Sequence, residues 1–169
     1  MLDFDRFYIR TMRTKDIPFI IKLLQSKSAK MLSLDFGDDS DVQSIEEHLQ
    51  KQLAENSSSL TFVAFLKKSN NLLGYIAIQE IDWMYGTGEL SIIIDEKYQS
   101  IGYGVLVLNC IAEYCFKELN LAKLCSKIRY DNTFIPERVE GQLLRDIPIY
   151  EGYKTSFFYS DIIREDIEI

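Results

Sequence analysis

Apolar positions along the chain recur with two periods, about 3.6 and 2, and the switches between them lay out the elements. Residues 7–12, Phe-Tyr-Ile-Arg-Thr-Met, read as a first strand. Thr14-Lys-Asp16 followed by Pro18 predicts a helix start, since proline is tolerated in a first turn; Ile17, Ile20, Ile21 and Leu24 continue it as one helical stripe. A loop carrying Asp35, Asp38, Asp39 and Asp41 comes next. Val42, Ile45, Leu49 and Leu53 then line one face of a second helix, in which Ser44 and Glu47 have capping-box spacing. Residues 61–66 and 73–81 are β-rich and predict a hairpin turning through 67–71. Gly86-Thr-Gly88 leads into a fourth strand over 89–94, and Ala122 opens a fifth that runs to 129. Between them a long helix is predicted from about 102 to 119. Its buried stripe would be Val105, Leu108, Ile111, Ala112, Cys115 and Leu119, with Asn109, Glu113 and Lys117 opposite. Residues 155–163 are β-rich and aromatic. The order β-α-α-β-β-β-α-β…β, with no repeat or linker, predicts an α/β chain of one domain over residues 1–169.

Composition excludes several classes of function. At 47% hydrophobic and 27% charged residues the chain is an ordinary globular one, neither disordered nor fibrous. A net charge of −7 repels nucleic-acid backbones and anionic membrane faces and attracts cationic substrates. Cys110, Cys115 and Cys125 are odd in number and form no C-x-x-C pair, which argues against a disulfide framework or a zinc site and for a reducing cytoplasm. The first residues are charged and carry no apolar signal core, and no run approaches the roughly 18 apolar residues of a membrane span.

The segment with most chemical content joins the fourth strand to the long helix: Ile92, Ile93 and Ile94, then Asp95 to Tyr98, then Gln99-Ser100-Ile101-Gly102-Tyr103-Gly104-Val105. Two glycines let backbone approach a ligand closely. The free N–H groups of a helix's first turn, with the helix dipole, make an anion site suited to phosphate. The alternative is a plain strand-to-helix turn. A Rossmann fingerprint would need a third glycine where Val107 stands, and a P-loop would need Gly-Lys-Ser/Thr. His48 has no companion with which to hold a metal and is expected in solvent, and Cys125 is expected to pack rather than react.

The spacing Gln99-x-x-Gly102-x-Gly104 resembles the pyrophosphate loop, Gln/Arg-x-x-Gly-x-Gly/Ala, of the GNAT N-acetyltransferase superfamily, in particular its ribosomal-protein and spermidine N-acetyltransferase branch. Further segments resemble that family in order: Tyr8-Ile-Arg10 with Asp16, Gly74-Tyr-Ile76, Glu89 opening the fourth strand, Asp131-Asn132, Glu140-Gly141 with Arg145, and the tail from Tyr159 to Asp166. The resemblance implies a mixed, mostly antiparallel sheet, flanked by helices and splayed between the fourth and fifth strands to admit CoA. It implies acetyl-CoA as donor and no metal. Ile92, Ile93 and Ile94 would hold the pantetheine arm, Gln99 to Val105 the pyrophosphate, and Asn132 the pantetheine side.

The same resemblance makes Glu89 a general base acting through water, or an acceptor ligand; the alternative is a solvated strand-end carboxylate. The acceptor would be a primary amine, a polyamine or a basic peptide N-terminus. It would be drawn by Asp35, Asp38, Asp39 and Glu46, with Trp83 and Tyr85 as walls; the alternatives are a solvated acidic loop and aromatics partly in the core. A homo-oligomer is left open. The family's helix between its fifth strand and the tail, which often carries a tyrosine acid for the leaving thiolate, has no counterpart between Thr133 and Phe134. Either it is deleted or residues are omitted there. Omission is favoured, because an empty helix slot would expose core. The thiolate acid therefore stays unassigned. A second reading is a catalytically degenerate acyl-CoA-binding sensor or interaction module.

Overall fold

Alternate side chains of a strand point to opposite faces of its sheet, and here both faces are covered by helices. The computed structural model describes residues 1–26, 41–54, 58–129, 141–150 and 153–163. The strands are β1 (Leu2–Asp3), β2 (Phe7–Thr11), β3 (Leu60–Leu66), β4 (Leu72–Asp82), β5 (Thr87–Ile94), β6 (Lys123–Arg129), β7 (Gly141–Tyr150) and β8 (Tyr153–Ile163). The helices are α1 (Ile17–Leu24), α2 (Val42–Ala54) and α3 (Tyr103–Lys117). The strands form one sheet in the order β1-β2-β3-β4-β5-β6-β8-β7. Neighbours are antiparallel except β5 and β6, which run parallel because α3 carries the chain back between them.

On one face α3 lays Val107, Ile111, Cys115 and Phe116 against Ile9, Ile76, Ile78 and Leu90. On the other, Ile20, Leu24, Ile45 and Leu49 from α1 and α2 cover Val63, Tyr75, Ala77 and Ile93. Among the described residues one charged side chain, Asp16, is buried, and it lies at the start of α1. Asp16 accepts two bonds from the Arg10 guanidinium, at 2.6 and 2.8 Å, and one from the Arg13 N–H at 2.8 Å. Burial pushes the Asp16 carboxyl up, but the bonds from Arg10 and Arg13 outweigh that and hold it below the usual carboxylate range.

The structure differs from the sequence expectation at four places. Asp41, not Ser44, caps α2: its Oδ1 accepts the Ser44 N–H at 2.7 Å, because Asp41 precedes the first helical residue while Ser44 lies inside the helix. The buried stripe of α3 runs through Val107, Ile111, Ala112, Cys115 and Phe116, and Val105, in the first turn before that packed stretch begins, is 54% exposed. β1 and β7 are strands that local patterning left unassigned; both owe their state to the neighbours they pair with, β2 and β8. His48, expected in solvent, is half-buried.

Candidate functional site

β5 is the strand on which the site is built. Its register with β4 is unbroken from Gln79–Glu89 to Gly74–Ile94. Alternation therefore sends Glu89, Ser91 and Ile93 toward α1 and α2, and Leu90, Ile92 and Ile94 toward α3. At Gly74 an added Cβ would stand 2.6 Å from the Ile93 carbonyl oxygen, so this close approach of β4 to β5 needs a glycine.

On its other edge β5 pairs with β6 only at Thr87–Lys123, Gly88–Leu124 and Glu89–Cys125. β6 meanwhile stays paired with β8 from Lys123 to Arg129. Residues 90–94 of β5 run on past the last β6 pair, and the sheet opens as a fork with Glu89 and Cys125 at its apex. This is the expected splay between the fourth and fifth strands, carried here by β5 and β6 because β1 shifts the count. Among the described residues no strand pairs with the fork side of 90–94, where the Ile94 carbonyl accepts from Gln99 and a ligand's amides can pair with the rest.

Past Ile94 the chain turns sharply. Asp95 Oδ1 accepts the Lys97 N–H at 3.0 Å, and Gln99 Nε2 donates to the Ile94 carbonyl oxygen at 2.7 Å, folding the loop onto the end of β5. The first motif residue thus shapes the loop through its side chain. Ser100 (φ 62°) and Gly102 (φ 91°) take left-handed conformations. α3 starts at Tyr103, and Leu106 N donates to Gly102 O at 3.2 Å, so the N–H groups of Tyr103, Gly104 and Val105 lie ahead of the helical ladder. A Cβ added at Gly102 would meet nothing within 4 Å, and one at Gly104 only Ile94 Cγ1 at 3.9 Å. Ser100, Ile101 and Gly102 are exposed. Open space at the positive end of a helix dipole, beside free N–H groups, fits phosphate oxygens.

Glu89 is half-buried at the apex of the fork. Trp83 and Tyr85 are 51% and 73% exposed, so neither joins the core. Their turn is rigid: Asp82 Oδ1 accepts from Met84 N at 2.9 Å and Tyr85 N at 3.0 Å, and Gly86 O accepts from Ala122 N at 2.7 Å. Glu46 is exposed on α2 and lines a groove of about 410 Å³ between α1 and α2, with Lys22 and Gln50. Burial pushes the Cys110 thiol up to about 11 and Cys115 up to about 12, so neither is a nucleophile at neutral pH. Cys125 is half-buried at the fork. Asp35, Asp38, Asp39, Asn132 and the Thr133–Phe134 junction lie outside the described residues.

Tyr98 and Asn71 are two residues at the loop to which the sequence reading gives no role. The Tyr98 ring packs edge-on against Tyr103 with centroids 6.3 Å apart, and Asn71 Nδ2 donates to the Tyr98 hydroxyl at 3.3 Å. The available signal was the pair of tyrosines bracketing the glycine loop.

Comparison with known proteins bears on this geometry. The model of the acetyltransferase (GNAT) domain matches residues 6–134. Spermidine N(1)-acetyltransferase of Vibrio cholerae serotype O1 is 28% identical over 88 residues, 52% of this chain, and the match spans half the length of that relative. The crystal structure of spermidine N-acetyltransferase from Vibrio cholerae in complex with CoA and spermine superposes with a TM-score of 0.81 at 20% identity, over 96% of this chain and 98% of the other. The dodecameric form of the Vibrio cholerae enzyme in an intermediate state gives 0.75 at 21% identity, over 95% of each chain. With a family model spanning most of its length and a sheet that forks beside a glycine loop, the chain belongs to the GNAT acetyltransferase family.

Proposed function

We propose that the protein transfers an acetyl group from acetyl-CoA to a primary amine of a cationic acceptor, with polyamines as the preferred class. The observation that carries this reading is the fork: a strand edge with backbone groups to spare, ending in an open anion loop at a helix N-terminus. The pyrophosphate binds the N–H groups of Tyr103, Gly104 and Val105, with Gln99, Ser100, Ile101 and Gly102 shaping the loop. The pantetheine amides pair with the fork-side backbone groups of Ile92 to Ile94 that Gln99 leaves available, as an added strand would. That line delivers the thioester toward the apex, where Glu89 stands.

The amine must be neutral to attack. Glu89 accepts its proton, directly or through water; the amine nitrogen bonds to the thioester carbon, the C–S bond breaks, and CoA leaves as a thiolate that takes up a proton. Glu89 faces the α1 and α2 side of the sheet, the side that also carries Glu46, so the acceptor enters from there. Net charge −7 favours a polycation over a neutral amine. Trp83 and Tyr85 present rigid aromatic faces that suit an ammonium group. The similar Vibrio cholerae enzyme, solved with CoA and spermine, supports a polyamine over a basic peptide, and its dodecamer supports a homo-oligomer here. A single domain over residues 1–169, lacking the family helix at Thr133–Phe134, and a cytoplasmic location belong to the same proposal; intact mass tests whether residues are missing at that junction.

The test is release of free CoA thiol from acetyl-CoA in the presence of spermidine, spermine, basic peptides and neutral amines. Polyamines are expected to give the highest kcat/KM. If acetyl-CoA binds but no amine releases thiol, the protein is a sensor or interaction module instead.

A further inference from the structure

A loop that carries Gly102 with nothing packed around its apex has many conformations to choose from, and ordering it costs conformational entropy. Yet two of its residues, Ser100 and Gly102, hold left-handed dihedrals. Something outside the apex fixes them. The Gln99 bond to Ile94 secures the near side. Backbone bonds from Tyr98 N to Asp95 O at 2.8 Å and from Leu106 N to Gly102 O at 3.2 Å hold the two flanks, and an aromatic contact joins them. Tyr98 immediately precedes the loop and Tyr103 begins its helical limb, and their rings meet at 6.3 Å with an interplanar angle of 79°. This edge-to-face contact closes the base of the loop.

Each ring is anchored in turn. Tyr103 meets Phe7 of β2 edge-on at 6.3 Å, and Phe7, itself buried, stacks on Phe4 at 5.0 Å. The Tyr98 hydroxyl accepts from Asn71 in the β3–β4 turn, whose other asparagine, Asn70, accepts from the Tyr8 hydroxyl at 2.6 Å. Strand β2 and the β3–β4 hairpin thus grip the loop from both of its ends, and neither grip touches the apex where a ligand would sit.

We propose that Tyr98 and Tyr103 are positioning residues: their ring pair holds the anion loop in its binding geometry before acetyl-CoA arrives, so that it sets cofactor affinity and not turnover. This rests on the reading of the loop as the pyrophosphate site. A pre-ordered loop spares the ligand the ordering entropy, and removing the restraint lowers apparent affinity by the fraction of time the loop is competent.

The test uses the full chain. Tyr98→Leu, a change outside the anion site, is expected to raise the Kd for CoA about 2- to 12-fold, the worth of one edge-to-face aromatic pair, with kcat at saturating acetyl-CoA and the KM for spermidine unchanged. Tyr98→Phe, which keeps the ring, keeps native affinity. Hydrogen exchange of the amides at 100–106 is faster in CoA-free Tyr98→Leu than in the native protein. Tyr103→Leu also raises the Kd for CoA, and the double variant is less than additive; should Tyr103→Leu not fold, Tyr98→Leu, whose ring is half-exposed, reads the same contact. Native CoA affinity in both leucine variants, or unchanged loop exchange, overturns the proposal. Exchange in the CoA-free protein reads the clamp without any ligand, and Gly102→Asp reads the site. If Gly102→Asp leaves CoA binding intact, the pyrophosphate reading fails and the affinity part of the proposal falls with it. If Gly102→Asp abolishes binding while the leucine variants do not weaken it, the clamp alone fails.

Discussion

Placing an aspartate at Gly102 separates fold from ligand binding more cleanly than any other single change. Gly102 has φ 91°, where a side chain costs about 1–2 kcal/mol, but a Cβ there meets nothing within 4 Å, so no clash adds to the strain. A carboxylate at a helix N-terminus recovers about 0.3–1 kcal/mol from the dipole. The CoA-free variant should therefore lose about 1 kcal/mol, or about 2–4 °C in a chain of this size. The effect on an anion is far larger. Two like charges about 4 Å apart at an effective dielectric near 20 repel by about 4 kcal/mol, and even partial relief leaves a loss near 3 kcal/mol, at least a hundredfold in Kd. At CoA a hundredfold above the native Kd, the native protein gains about 2.7 kcal/mol and about 5–10 °C. The variant at that concentration gains about 0.4 kcal/mol, near 1 °C. Gly102→Asn, similar in size and in tolerance of left-handed backbone, is the control for strain and should keep most of the CoA shift. Melting curves with and without CoA, backed by calorimetric titration, read all three proteins. A native-sized CoA shift in Gly102→Asp would refute the assignment of the loop.

Further outcomes follow from the same geometry. Glu89→Gln should lower kcat by about 10²- to 10⁴-fold with the Kd of CoA unchanged, as measured by thiol release and calorimetry; an unaltered kcat would reduce Glu89 to a strand-end carboxylate. Asp16→Ala should lose about 1–3 kcal/mol in urea unfolding, because it strips the carboxylate from the half-buried Arg10 guanidinium and leaves it the Thr11 carbonyl and the Phe65 ring as partners. Since the folded Asp16 carboxyl lies below its unfolded value, its contribution is full above about pH 4 and is lost as pH falls through the depressed native value; acid titration of native protein against Asp16→Asn checks that sign. With net charge −7, kcat/KM for a polyamine should fall as salt is added, while that for a neutral amine should not.

What local pattern carries and what it does not can be seen element by element. The alternation of β5 and the glycine spacing after it were legible because strand period, turn residues and helix start all act within a few residues. The hairpin at 67–71 and the start of α1 around Pro18 were legible for the same reason. The strand state of Gly141–Tyr150 was not, because Pro148 and the charged Arg145–Asp146 pair argue locally against it and only pairing with β8 decides it. The phase of α3 was misjudged at Val105. Apolarity alone does not tell a helix side chain that packs on the sheet from one left exposed in the first turn. At the site, the sequence named the residues of the loop but not what braces it, since the Tyr98–Asn71 link spans 27 positions. Nor could it reveal that Gln99 turns inward to Ile94.

The register of β5 explains how one short strand serves two roles. Because its side chains alternate without a break from Glu89 to Ile94, the odd positions from 89 to 93 face α1 and α2 and the even positions from 90 to 94 face α3. The even set anchors the strand: Leu90 and Ile94 are 2% and 8% exposed within the α3 layer. That packing fixes the strand while its backbone edge stays free for a ligand. The odd set puts Glu89 on the opposite face, on the side of the groove that holds Glu46, and at the last β6 pair. In the proposed mechanism, donor along the edge and acceptor from the face then converge at Glu89. A slip of one position would send Glu89 into the α3 core and Leu90 to the acceptor side, burying a charge and exposing a leucine. Two constraints hold the strand against such a slip. Gly74 admits the Ile93 carbonyl at a distance no side chain tolerates, and the Gln99 amide grips the Ile94 carbonyl. Gln99 thus ties the glycine loop to the same strand that, in the proposed mechanism, carries the catalytic carboxylate at its other end.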